Sequence, residues 1–271
     1  MTAPTEADVR LAVELVRGAG SLAAKMRTAG IGDSIETKTS VSDVVTAADK
    51  AAEKAIVDRL AAEHPGDGIL GEEGSARESA TGRVWTIDPV DGTYNFVRGL
   101  DWWCSALALT DGAPGDVNSI VLGAVYSPAE DAVYVGGPEL PTTRNGIRLD
   151  AMPDVPLSHA CLTTYLHPRK LSHPSGEAYV RVAARAASIR ILGSGSMDLT
   201  AIAQGKLHLF CQHSVPDWDR LPGAALVLGV GGTTAQVEAG GVLWSLAGTP
   251  TAVAEAAEAL TSDQSTSGTV A

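Results

Sequence analysis

The segment Trp85-Thr86-Ile87-Asp88-Pro89-Val90-Asp91-Gly92-Thr93-Tyr94-Asn95-Phe96 constrains this chain more than any other. An alternating apolar run reads as a strand, and it leads into a sharp turn that holds two carboxylates three residues apart. Pro89 fixes φ and Gly92 lets the backbone approach a ligand closely, so the turn can aim Asp88, Asp91 and the Val90 carbonyl at one point. An all-oxygen donor set of this kind suits Mg²⁺, which usually keeps several waters and shares the substrate phosphate. A helix beginning near Thr93 would turn its N–H groups toward that phosphate. Taken alone, the segment can also be read as an Asx-rich turn with solvated acids.

Acids elsewhere can join it. Gly71-Glu72-Glu73-Gly74 follows the apolar ILG and puts a carboxylate at a strand end, where sheet proteins tend to place ligands; alone, it reads as a surface acidic turn. Asp217-Trp218-Asp219 opens a helical run and could equally be an N-cap beside a buried tryptophan. Thr46 followed by Asp49 is a capping-box-like pair that sets the Asp49 carboxylate in the first turn of a helix.

Around these motifs, helical spacing runs over 5–29 and 47–63, and from residue 69 short apolar runs punctuated by Gly and Pro predict strands: ILGEE, VWTID, CSALALT, SIVLGAVYS and DAVYVGG. Residues 137–159 are rich in Pro and turn formers, and they suggest a division into two halves. The first, 1–140, is an α+β half carrying most metal ligands, and the second, 141–261, is an α/β half completing the site. In the second half, 175–187, SMDLTAIAQG and DRLPGAALVLG read as helices, ASIRIL and KLHLFCQ as strands, and a closing strand and helix reach about 261. Residues 262–271 read as a disordered polar tail. The fold class implied is layered α/β or α+β.

With 271 residues, 45% of them hydrophobic, the chain can bury a substantial core, and no stretch approaches the roughly 20 apolar residues of a membrane span. MTAPTEADVR has no basic n-region or apolar h-region, and Cys104, Cys161 and Cys211 read as buried thiols; both predict a soluble cytoplasmic protein with no membrane partner. A net charge of −12 with scattered Lys and Arg argues against nucleic acid as a partner. An acidic protein that handles phosphate needs a positive intermediary, which bound divalent cations supply. His208 and His213 read as structural, the glycine pairs 231–232 and 240–241 as a helix cap and a turn, and Trp102 and Trp103 as core or dimer anchors. The acids of haloacid-dehalogenase phosphatases stand two apart near the N-terminus, unlike Asp88 and Asp91.

The order Lys38, Asp43, Thr46, Asp49, then Gly71-Glu72-Glu73, then Asp88 through Phe96, then Gly193-Ser194, then Trp218-Asp219 closely resembles the inositol monophosphatase family over residues 36 to 232. The resemblance implies a five-layered αβαβα sandwich shared with fructose-1,6-bisphosphatase, two or three Mg²⁺ ions, lithium sensitivity and a homodimer. It implies that Glu72, Asp88, the Val90 carbonyl, Asp91 and Asp219 ligate metal. It also implies that Asp49, Thr93 and Glu72 serve catalysis, and that Asp91, Gly92, Thr93, Gly193, Ser194 and Gln212 meet the substrate. The function implied is Mg²⁺-dependent hydrolysis of a small phosphorylated alcohol, first myo-inositol monophosphate, by metal-activated water. Histidinol phosphate, fructose 1,6-bisphosphate and 3′-phosphoadenosine 5′-phosphate are alternative substrates, and a catalytically silent binding protein is the reading from another class. Two departures stand out: only Asn145 and Gly146 remain of a glycine-rich segment within PELPTTRNGIRLD, and Gln212 replaces a glutamate that touches substrate hydroxyls.

Overall fold

A computed structural model describes residues 3–30, 36–37, 44–45, 47–112 and 116–262. Lys38, Asp43, Thr46 and the tail beyond Ser262 lie outside the described residues.

Helix α1 (Glu6–Ala29) starts at Thr5, whose hydroxyl accepts the Asp8 N–H at 3.1 Å while the Asp8 carboxylate accepts the Thr5 N–H at 2.9 Å, a reciprocal cap that satisfies two otherwise orphaned donors. Its apolar stripe of Leu11, Leu15, Val16 and Ala19 is buried. After a two-stranded ribbon, β1 (Glu36–Thr37) and β2 (Val44–Val45), comes α2 (Ala47–Glu63). It buries Ala48, Ala52, Ile56 and Leu60, and also two acids, Asp49 and Glu53. A buried carboxylate is costly unless something holds it, so these two mark where the helix does more than pack.

The large sheet comprises β3 (Gly68–Gly71), β4 (Ala76–Arg77), β5 (Arg83–Asp91), β6 (Cys104–Asp111), β7 (Ile120–Ser127), β8 (Ala132–Gly137), β9 (Leu140–Arg144) and β10 (Ile147–Arg148). Their order across the sheet is β10-β9-β8-β7-β6-β5-β3-β4, antiparallel except for β3 beside β5. The five strand-like runs between residues 69 and 137 supply β3, β5, β6, β7 and β8. The sheet continues past residue 140 because Pro141 falls where the β8–β9 register shifts, a place where a missing ladder N–H is tolerated. Residues 149–160 connect it to the second sheet.

That sheet comprises β11 (Cys161–Thr163), β12 (Ser188–Arg190), β13 (Leu209–His213), β14 (Thr233–Ala239) and β15 (Val242–Gly248), in the order β12-β11-β13-β15-β14. The remaining helices are α3 (Thr93–Val97), α4 (Pro174–Ala183), α5 (Gly195–Ala203), α6 (Asp217–Leu228) and α7 (Pro250–Thr261). Helices α1 and α2 pack on the large sheet, α5 and α6 contact both sheets, and α4 and α7 pack together beside the second sheet. The result is the αβαβα layering expected. The middle layer is tight: a Cβ added to Gly123 of β7 would stand 2.2 Å from the Pro222 carbonyl oxygen of α6, so strand and helix meet backbone to backbone.

Among the described residues no helix is long and apolar enough to cross a membrane. Cys104, Cys161 and Cys211 are free thiols. His208 accepts the Cys161 N–H and His213 packs edge-on against Trp244, both structural roles. Gly231 follows α6 and Gly240-Gly241 turn β14 into β15, all at positive φ.

Candidate active site

Strand β5 is anchored at its start. Trp85 is fully buried and donates its indole N–H to Asp67 Oδ2 at 2.9 Å, and the same carboxylate lies 3.3 Å from the Arg83 guanidinium. At the other end, residues three apart on a regular strand would face opposite sides of the sheet. Between Asp88 and Asp91 the pairing with β6 shifts register, and the Val90 N–H donates to Asp88 Oδ1 at 3.1 Å. This bulge re-aims the strand end, so that Asp88, Val90 and Asp91 all line one cavity of about 490 Å³. Gly92 follows at φ 93°, where a Cβ would meet the Trp102 carbonyl oxygen at 3.0 Å and Ser194 Cβ at 3.1 Å. A side chain would be strained there and also obstructed.

Thr93 begins α3, as the sequence predicts, though a helix of five residues contributes little macrodipole. Its hydroxyl lies 3.1 Å from Asp49 Oδ1 and 2.9 Å from the Val90 carbonyl oxygen. Asp49 is wholly buried and does not line the cavity; Thr93, which does, is hydrogen-bonded to it.

The remaining wall comes from other layers. Glu72 follows β3, Asp219 stands in the first turn of α6, Gln212 sits near the end of β13, and Gly193 and Ser194 precede α5. The Ser194 hydroxyl caps α5 by accepting the Met197 N–H, and the Ser196 N–H of the same first turn donates to Asp91 Oδ2. Asn95 donates from its amide nitrogen to the Trp102 and Leu192 carbonyls, each at 2.8 Å, and so ties α3 to the segment entering Gly193. Apart from Asp49, every residue expected at the site borders this cavity.

Burial, together with the charges of Glu72, Asp91 and Asp219, holds the Asp88 carboxyl well above its ordinary range. Burial also raises Asp91, to about 6, against the hydrogen bonds from Ser196 and Ser194 that pull it down. Among the described residues no Lys or Arg lines the cavity. These are hard oxygen donors, Asp88 and Asp91 buried and Glu72 and Asp219 half-buried, that repel one another, and a divalent cation fits them chemically. They are neighbours along a wall more than a closed cage, since no three His, Cys, Asp or Glu side chains among the described residues already surround one ion-sized point.

Several lining residues escaped the sequence reading. Asp198 of α5 is buried, raised by that burial to about 7, and held by Trp102 Nε1–H at 2.8 Å and by the Thr163 hydroxyl. The signal for it was the one charged residue in an otherwise uncharged helix. Trp102 thus supports the wall, while Trp103 packs edge-on against Phe96 in the core. Thr164, Tyr165 and His167 also border the space, and nothing in their spacing marks them.

Carboxylates from both halves of the chain thus meet at one cavity, with Asp88 and Asp91 buried beside the Gly92 turn. The model of the inositol monophosphatase family matches residues 6–269. The inositol-1-monophosphatase SuhB of Mycobacterium tuberculosis is 34% identical over 232 residues, covering 81% of this chain and 78% of that protein. The histidinol-phosphatase of the same organism is 41% identical over 123 residues, 45% of this chain and 44% of that one. In structure, the extragenic suppressor protein suhB of Bartonella henselae superposes with a TM-score of 0.82 at 24% identity, covering 94% of this chain and 99% of that one. The chain belongs to the inositol monophosphatase family, and it is a phosphoric monoester hydrolase.

Proposed function

We propose that the cavity hydrolyses a small phosphorylated alcohol, first myo-inositol monophosphate, with two or three Mg²⁺ ions held by Glu72, Asp88, the Val90 carbonyl, Asp91 and Asp219. The single observation that carries this reading is the set of five carboxylates at the cavity wall, three of them, Asp88, Asp91 and Asp198, buried and raised by that burial, with no Lys or Arg among the described lining residues. When bound, Mg²⁺ supplies the positive charge that makes a nearby water acidic and supports both the entering and the departing oxygen.

The chain's own groups do the rest. Thr93 takes a proton from the attacking water as its own hydroxyl proton passes to Asp49, an acceptor sealed from solvent. Glu72 orients the same water from the end of β3, the parallel neighbour of β5. The backbone of Gly92 and Thr93 holds the phosphate, and the close approach at Gly92 favours that role. Gly193, Ser194 and Gln212 meet the alcohol.

Five carboxylates, two tyrosines and His167 are the ionisable groups among the described lining residues, so a second phosphate would find no Lys or Arg there. This favours a monophosphate over fructose 1,6-bisphosphate or 3′-phosphoadenosine 5′-phosphate. Histidinol phosphate stays as the second reading, supported by the neutral amide of Gln212 at the wall and by the partial match to a histidinol-phosphatase. From the family resemblance we also propose lithium sensitivity, a homodimer and a cytoplasmic location. The test is phosphate release from a panel of monoesters with Mg²⁺ and with chelator. Full turnover in excess chelator would sink the metal reading, and no turnover of any ester would restore the silent binding protein.

A further inference from the structure

We propose that Glu53 is a positioning residue, which sets the turn carrying Glu72 and thereby the strength of divalent-cation binding; the inference rests on the metal reading above. Glu53 lies on α2 one helical turn after Asp49, and both are buried. Its two carboxylate oxygens are both engaged by the turn after β3: Oε2 accepts the Glu73 N–H at 2.8 Å and Oε1 accepts the Ser75 N–H at 3.0 Å. A Cβ on Gly71 would stand 2.5 Å from Oε2, so the carboxylate rests directly on the turn's backbone.

Glu72 sits inside this clasp. Its own N–H donates to the Ile87 carbonyl of β5 at 3.1 Å, and the Gly71 N–H donates to the Ser75 carbonyl at 2.8 Å. The backbone on either side of Glu72 is therefore fixed on one side by β5 and on the other by Glu53. Along α2, Asp49 accepts from Thr93 while Glu53 accepts from the Glu72 turn. A single helix thus registers two walls of the cavity that come from different strands. Glu53 does not line the cavity, so it acts through Glu72 and touches no reacting group.

A carboxylate here offers acceptors to two N–H groups at once, and an amide cannot, because its NH₂ would face one of those donors. Removal of such supporting partners typically lowers metal affinity about 10- to 100-fold. The experiment is titration calorimetry with Mg²⁺ alone on the folded full-length protein, comparing wild type, Glu53→Gln and Asp219→Asn, with melting temperature measured in parallel. A roughly 10- to 100-fold weaker Mg²⁺ affinity in Glu53→Gln, with activity recovering as Mg²⁺ is raised, is expected. Unchanged affinity in Glu53→Gln beside a weakened Asp219→Asn, whatever the melting temperature, would refute the role of Glu53 alone. No Mg²⁺ binding by wild type would refute the metal reading, and this inference with it. Should Glu53→Gln not fold, Glu53→Asp, which keeps the charge but falls one methylene short of the turn, carries the same comparison.

Discussion

The Thr93 hydroxyl stands between Asp49 Oδ1 at 3.1 Å and the Val90 carbonyl oxygen at 2.9 Å. It has one hydrogen and two acceptors, so it can serve only one of them at a time. A hydroxyl placed in this way can pass its proton to Asp49 as its oxygen accepts one from a water on the cavity side. Thr93→Ala should lower kcat by about 10²–10⁴-fold with a smaller effect on KM, and Thr93→Ser should recover most of it. Steady-state kinetics of both variants decides the matter; equal losses in the two would show that the methyl group and its packing matter, not the hydroxyl.

Asp91 joins the cavity wall to the first turn of α5 through the Ser196 N–H, a bond that an asparagine oxygen can also accept. Asp91→Asn should therefore keep the fold while kcat drops by orders of magnitude. Ca²⁺ should inhibit the wild type, because its longer and looser coordination does not reproduce that of Mg²⁺. A near-wild-type rate in the variant would remove Asp91 from the metal site.

Mg²⁺ should raise the melting temperature. A ligand that binds only the folded state stabilises it by mass action, by about 2.7 kcal/mol at a hundredfold excess over Kd. Relief of repulsion among Glu72, Asp88, Asp91 and Asp219 acts in the same direction. Thermal scans with millimolar Mg²⁺ and with chelator that superimpose would count against an assembled site.

Stability should fall between about pH 4 and pH 7 in the metal-free protein. Burial raises the Asp198 carboxyl to about 7 from an ordinary 3.8, so across that window the native state holds a proton that the unfolded chain has lost. Raising the pH strips it, and folding loses on the order of a few kcal/mol at most. An asparagine side chain cannot titrate, so the Asp198→Asn variant should show a flatter profile in urea titrations at several pH values. Parallel profiles for wild type and variant would mean that other groups carry the slope.

Gln212→Glu should change kcat/KM ratios among natural substrates by about 1–3 kcal/mol while barely altering hydrolysis of an aryl phosphate. The change replaces an amide that donates and accepts with a carboxylate that only accepts, at the wall expected to meet the alcohol. A uniform loss on every substrate would point to disturbance of the metals, and no change on any would place Gln212 outside the bound ester's reach.

The strands and long helices were legible because their apolar periodicities are strong, and the acids at their ends because turn residues frame them. Two kinds of feature were not. Strand β9 contains Pro141, which reads as a strand breaker until the register shift beside it is known. Asp198, Tyr165 and His167 reach the cavity only because the second sheet folds back over the first, a long-range event with no local mark. Glu53 was not legible either: it sits on the apolar face of α2, and only the turn it clasps explains a buried acid there.

The backbone contact between Gly123 and Pro222 carries a consequence for mutational screening. Helix α6 delivers Asp219, so any side chain at position 123 must push the helix away and carry that carboxylate with it. A saturation library scored for lost phosphatase activity should therefore flag Gly123, which has no functional group and does not border the cavity. A clinical or evolutionary reader who ranks positions by their chemistry would pass it over, although its tolerance for even one methyl group should be among the lowest in the sheet.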